Sequence, residues 1–153
     1  MRGESGLDAR RVSSAGSTAV ISVTLQFRVV MDNSGVKPRL LVIDDDLDIR
    51  ELLVLALSDE FDVVLASSVD EAKLRISERS NDIILLDLMM PGLSGGAFLL
   101  YLEKYYPALA DRVFLLTGMP SEIVESMAPG MSGRIIRKPI DFTTIRSQLH
   151  ALL

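Results

Sequence analysis

Five short runs rich in apolar residues recur along the chain, and stretches with an apolar residue every three or four positions follow them. No other feature constrains the fold as much. The runs are Leu40 to Ile43, Phe61 to Ala66, Ile83 to Leu86, Val113 to Leu116 and Arg134 to Arg137. A near-continuous apolar run is what a strand buried on both faces requires. After the first run, Ile49, Leu52, Leu53, Ala56 and Leu57 fall on one helical face. Ser68-Val69-Asp70-Glu71 has the form of a capping box and predicts a helix with Val69, Ala72 and Ile76 turned inward. A third helix is predicted from about Gly96 to Tyr105, ending before Pro107, and a short one from Ser121 to Met127. Asp141 is expected to cap a last helix that faces inward through Phe142, Ile145, Leu149 and Leu152. Alternating strand–helix units imply an α/β fold: a flavodoxin-like, doubly wound, five-stranded parallel sheet of order 2-1-3-4-5, with helices on both faces.

Residues 1–37 read differently, as an N-terminal extension preceding a domain over 38–153. Residues 1–18 are rich in Ser, Gly and Arg and have no period, which is the composition of disorder. Over 19–29, Ile21, Val23, Leu25, Phe27 and Val29 alternate with polar residues, a strand pattern. That segment is either an extra strand or partner-binding arm, or upstream sequence ahead of an alternative start at Met31. Arg10 and Arg11 precede a short apolar run as in a signal peptide, but Gln26 and Arg28 interrupt it and no cleavage pattern follows. No stretch reaches the roughly 18 apolar residues of a membrane helix, so a cytoplasmic protein without membrane contact is expected. A net charge of −5 with scattered Lys and Arg argues against a nucleic-acid surface. The absence of cysteine removes disulfides, thiolate metal sites and thiol nucleophiles. The single histidine, His150, reads as a solvated residue at a helix end.

Doubly wound sheets place their sites at the carboxyl ends of the strands. Asp44 and Asp45 follow the first run, Asp87 the third, Thr117 the fourth and Lys138 the fifth. Each alone has an ordinary reading as a cap, a turn residue or a solvated charge. Together they put three carboxylates, a hydroxyl and an ammonium at neighbouring strand tips. Carboxylates a few ångströms apart repel by roughly 1 kcal/mol per pair in water and about 4 at an effective dielectric of 20. Such a cluster calls for a cation, and hard oxygen donors point to Mg²⁺. With one Mg²⁺ and the lysine, the three aspartates reach formal neutrality. A phosphoryl group entering the site would meet metal, ammonium and hydroxyl, the electrostatic setting phosphoryl transfer requires.

At these residues the chain resembles the receiver domain of two-component response regulators. The motifs are Leu41-Val42-Ile43-Asp44-Asp45-Asp46, Asp82 through Gly92, Leu115-Leu116-Thr117-Gly118 and Arg137-Lys138-Pro139. The resemblance runs from about Pro38 to Leu153. It implies that Asp87 is the phosphoacceptor, and that Asp45, Asp87 and the backbone carbonyl of Met89 ligate Mg²⁺ with Asp44 acting largely through water. It further implies that Thr117 bonds the phosphoryl oxygen, that Lys138 bridges to it, and that Gly118 leaves the site accessible. Asp46 reads instead as the start of the first helix. The implied partners are a histidine kinase or histidine phosphotransfer protein and a downstream protein target, with the chain a monomer or weak homodimer. Because the chain ends one helix after Lys138, no output domain is expected. Such a protein is a phosphoacceptor signalling domain rather than an enzyme, with only Mg-assisted self-phosphorylation and self-dephosphorylation.

One position departs from the family pattern. Three residues before the lysine, where receivers commonly carry Tyr or Phe, stands Ile135. An aliphatic side chain cannot swing a ring between two states, so readout is expected through the loops and the Ser121–Met127 helix. Two alternatives remain. A haloacid-dehalogenase-type phosphohydrolase would use Asp44-x-Asp46, but leaves Asp87 without a role. A binding-only pseudo-receiver would keep the fold without phosphorylation.

Overall fold

The computed structural model describes residues 35–92 and 94–153. The strand pattern over 19–29 and the alternative start at Met31 lie outside the described residues. Five strands, β1 (Arg39–Ile43), β2 (Asp62–Ala66), β3 (Ile83–Asp87), β4 (Val113–Thr117) and β5 (Ile135–Arg137), form one sheet of order β2-β1-β3-β4-β5. Every neighbouring pair is parallel, with Leu41 opposite Val64 and Ile84, Leu86 opposite Leu115, and Leu115 opposite Ile135. The fold is the flavodoxin-like doubly wound sheet that the alternating pattern requires.

Among the described residues six α-helices connect and flank the strands: α1 (Leu47–Leu57), α2 (Val69–Glu78), α3 (Gly95–Tyr105), α4 (Pro107–Ala110), α5 (Ser121–Met127) and α6 (Phe142–His150). Because side chains alternate across a strand, the sheet builds two cores. On one face Leu41, Ile43, Ile84, Leu86, Val113 and Leu115 pack against Ala72 and Ile76 of α2, Phe98 and Leu102 of α3, and Val124 of α5. On the other, Leu40, Val42, Ile83, Leu85, Phe114 and Leu116 meet Leu53 and Leu57 of α1 and Ile145 and Leu149 of α6. Full burial of such a side chain contributes about 1.5–3 kcal/mol. These two layers therefore hold the strand tips in place.

Caps set where the helices begin. The Asp46 side chain accepts the N–H groups of Asp48 and Ile49. Ser94 does the same for Ala97, and Asp141 for Thr143. At α2 the Ser68 hydroxyl accepts the N–H of Glu71, but the Glu71 carboxylate reaches past Ser68 and accepts both the N–H and the hydroxyl of Ser67. The reciprocal half of the expected box is thus displaced by one residue.

Other expectations are corrected by packing. Leu52 shares the periodic stripe of α1, yet 43% of it is exposed, because Leu53 and Leu57 fill the space beneath the helix. Phe61 lies outside β2 but is buried, its ring 5.2 Å from that of His150. His150 is therefore no free solvated side chain: its Nε2 meets the Glu60 carboxylate, whose other oxygen lies 2.9 Å from Arg146. Arg134 belongs to a 3₁₀ turn (Ser132–Arg134) rather than to β5. Phe142 and Leu152 are only partly buried at the margin of the core. After Tyr106 the chain makes the unexpected turn α4, with Pro107 in its first position, where a missing N–H costs nothing.

Candidate functional site

Strand ends bring distant parts of the chain to one pocket. Asp44 directly follows β1, Asp87 ends β3, Thr117 ends β4, and Lys138 directly follows β5. The loops between them are tied by backbone bonds: Asp44 N–H donates to Ala66 at 3.2 Å, and Lys138 N–H to Thr117 at 3.0 Å. Carboxylate oxygens of Asp44, Asp45 and Asp87 all lie within 4.8 Å of one another. Asp44 and Asp87 are buried, while Asp45 is exposed at the rim.

Lys138 is the cation of this pocket. Its Nζ is 3.0 Å from Asp44 Oδ2 and 3.3 Å from Asp87 Oδ2. The other Asp44 oxygen accepts the Asp46 N–H at 2.9 Å, and Asp87 Oδ1 accepts the Met89 N–H at 3.0 Å. Burial pushes the Asp44 carboxyl above its ordinary 3.8, and the nearby charge of Asp87 adds to the rise; the Asp46 N–H and Lys138 only partly oppose it. For Lys138 burial works the other way, but the hydrogen bond to Asp44 and the charges of Asp87 and Asp44 outweigh it. Its pKa lies above 10.5, and the ammonium stays protonated.

Thr117 is fully buried, and its Oγ1 accepts the N–H of Met119 at 3.0 Å, leaving the hydroxyl hydrogen free to donate elsewhere. Gly118 beside it is exposed, and a Cβ there would meet only Lys138 Cβ, at 3.9 Å. Ile135 is half-buried and packs against the core on the α5 side. Asp46 caps α1, as its place in the sequence suggests.

Two arginines to which the sequence reading gave no role of their own, one of them within the Arg137-Lys138-Pro139 motif, support the pocket. Arg50 of α1 donates to the Asp44 carbonyl at 2.6 Å, and Arg137 of β5 donates to the Ser121 hydroxyl at 2.6 Å and to the Met119 carbonyl. An arginine on a helix or at a strand end has a solvated reading by default, so no sequence signal separates these two from the others.

The donor set suits Mg²⁺. Three oxygen ligands converge, no nitrogen or sulfur ligand is among them, and one ammonium leaves the three carboxylates short of two positive charges. Opposite ligands of an octahedral Mg²⁺ stand about 4.2 Å apart, so a separation of 4.8 Å or less needs only a small closure.

A doubly wound sheet with an acidic pocket and a lysine at its strand tips defines a flavodoxin-like domain with its site at the switch of strand order. The family model of the response regulator receiver domain matches residues 40–150, and the chain belongs to that family. It is similar to the two-component response regulator PhoP of Pseudomonas aeruginosa, 30% identical over 116 residues that cover 75% of this chain and 51% of PhoP. The chain spans about half the length of the curated relatives it matches. Among solved structures it resembles the signal receiver domain of an HD domain-containing protein from Pseudomonas fluorescens Pf-5. The TM-score is 0.69 with 23% identity, covering 76% of this chain and 94% of that one. The chemotaxis protein CheY4 of Vibrio cholerae gives a TM-score of 0.68 with 22% identity, covering 76% and 99%. At these identities the structural matches establish the fold. No helix among the described residues is long and apolar enough to cross a membrane.

Proposed function

We propose that Asp87 accepts a phosphoryl group from a histidine kinase or histidine phosphotransfer protein in a two-component phosphorelay, and that the domain then acts on a downstream protein in the cytoplasm. In this reading residues 38–153 are the receiver and residues 1–37 an extension of it. The observation that carries the proposal is the placement of Lys138 against both Asp44 and Asp87, with the oxygens of all three aspartates converging. An Asp87 oxygen bonds to phosphorus as the bond from phosphorus to the donor's histidine nitrogen breaks, leaving an acyl phosphate on Asp87 and the pair of electrons on that nitrogen. Lys138 offsets the charge of the transferred group, and the Thr117 hydroxyl has a hydrogen free for one of its oxygens. Asp45, Asp87 and the Met89 carbonyl would hold Mg²⁺, with Asp44 acting largely through water. When bound, the ion neutralises charge on the phosphoryl oxygens. The dehalogenase-type reading needs Asp46 as its acid, but that carboxylate caps α1 by accepting the N–H groups of Asp48 and Ile49, and the reading leaves Asp87 without a role.

Mass spectrometry after incubation with acetyl phosphate and Mg²⁺ tests the assignment. One added phosphoryl group is expected on the full chain and none on Asp87→Asn. Equal labelling of the two would overturn the choice of Asp87, and an unlabelled wild type would favour a binding-only domain.

A further inference from the structure

The chain between β4 and α5 carries the group that orients Thr117: the N–H of Met119, which donates to Thr117 Oγ1 at 3.0 Å. Little else secures this short loop. Pro120 stands at the cap position of α5 and supplies no side-chain hydrogen bond. Ile135, packed on the α5 side of the sheet, has no polar group to offer. Arg137 does. It stands opposite Thr117 in the register of β4 and β5. Alternation along the strand sends its side chain to the same face as that of Ile135. There its guanidinium donates to the Met119 carbonyl and, at 2.6 Å, to the Ser121 hydroxyl.

Met119 is thereby held at both ends, its carbonyl by Arg137 and its N–H by Thr117 Oγ1. A charged donor makes a hydrogen bond roughly twice as strong as a neutral one, and the planar fork of a guanidinium fixes two acceptors at once. With the Met119 N–H fixed, one lone pair of Thr117 Oγ1 is taken, and that decides where the hydroxyl hydrogen is left to point. The Lys138 N–H, 3.0 Å from the Thr117 carbonyl, anchors the backbone of Thr117 but not its side chain. A rotation about the first side-chain torsion of Thr117 would break the bond to Met119. Arg137 opposes that rotation through Met119 without touching Thr117's hydroxyl.

We propose that Arg137 is a positioning residue for the phosphoryl chemistry: by clamping Met119 and Ser121 it keeps the Thr117 hydroxyl aimed at the transferred group. The proposal rests on the reading of Asp87 as phosphoacceptor. Its test measures the rate of labelling by acetyl phosphate and Mg²⁺ on the full chain, for the wild type, Arg137→Met, Arg137→Gln, Thr117→Ala and the Thr117→Ala/Arg137→Met pair. Each Arg137 variant should label about tenfold more slowly, short of the roughly hundredfold that a misplaced group can cost, and no more slowly than Thr117→Ala. In the Thr117→Ala background, Arg137→Met should change the rate by less than about twofold, because two residues acting through one contact are not additive. A general loosening of the fold would instead slow both backgrounds alike. Exchange of the Met119 amide hydrogen, which needs no phosphorylation, should be faster in both Arg137 variants. An unlabelled wild type would overturn the role of Asp87 and this one with it. A labelled wild type matched in rate by both Arg137 variants, effects that multiply in the pair, or unaltered Met119 exchange would overturn the role of Arg137 and leave that of Asp87 standing.

Discussion

At the scale of single residues, the pocket is a balance between burial and charge. Asp44 has a raised native pKa, so its ionised form weighs against the folded state whenever the pH lies above that value. In chelator-containing buffer, Asp44→Asn should therefore be more stable than the wild type at neutral pH. That advantage should shrink as the pH falls through the raised native pKa towards the ordinary 3.8, where the wild type takes up the proton itself. Urea titrations across pH check the sign, and a gap that widened on acidification would contradict it. Removing the cation should do the reverse. Lys138→Met leaves two buried carboxylates facing each other and should cost about 3 kcal/mol at neutral pH, with recovery in acid, read by the same titrations. Asp44, Asp45, Asp87, Thr117 and Lys138 were legible in the sequence because each sits where an apolar run stops. Their mutual contacts were not: that Lys138 bridges Asp44 and Asp87 depends on the sheet register between β1, β3, β4 and β5, which no local pattern encodes.

At the scale of elements, helix starts and close approaches decide the details. Ser68→Ala or Glu71→Ala should each cost about 1 kcal/mol by freeing N–H groups at the start of α2. The Glu71 share has a pH signature: its carboxyl is held below the ordinary 4.5, chiefly by the Ser67 N–H and hydroxyl. Its contribution is thus complete above 4.5 and is lost as the pH falls through the lowered native value, so wild type and Glu71→Gln should converge in acid. Gly96, in the first turn of α3, lies so close to α5 that a Cβ there would stand 2.5 Å from the Met127 carbonyl oxygen. Gly96→Ala must push the two helices apart and should cost about 1–3 kcal/mol, whereas Gly133→Ala meets open space and should be nearly silent in thermal melts. The helices themselves were legible from apolar spacing and caps, most nearly so for α5, whose bounds the sequence anticipated. Leu52 and α4 were not. Periodicity cannot tell which of two adjacent leucines is covered, and the four-residue turn after Tyr106 is too short to show a period.

At the scale of the whole molecule, the two cores fix the strand tips and leave the three carboxylates with one ammonium among the described residues. Mg²⁺ should raise the melting temperature by ordinary linkage, by an amount equivalent to about 2.7 kcal/mol at a hundred times its dissociation constant. Chelation should reverse the shift, and Asp87→Asn should blunt it; a melting curve indifferent to Mg²⁺ would count against the metal site. The alternating architecture was legible before any coordinates because each apolar run must lie between two layers of helix. The pairing of Arg50 and Arg137 with loop carbonyls was not, because it appears only once those layers are stacked. The order of the pocket's residues along the chain also bears on its synthesis. Asp44, Asp45 and Asp87 leave the ribosome well before Lys138, the only described side chain that forms ion pairs with Asp44 and Asp87. A nascent domain complete through β4 therefore carries its acidic cluster without its ammonium. It can settle only when β5 emerges, or earlier if a free cation from the surroundings stands in.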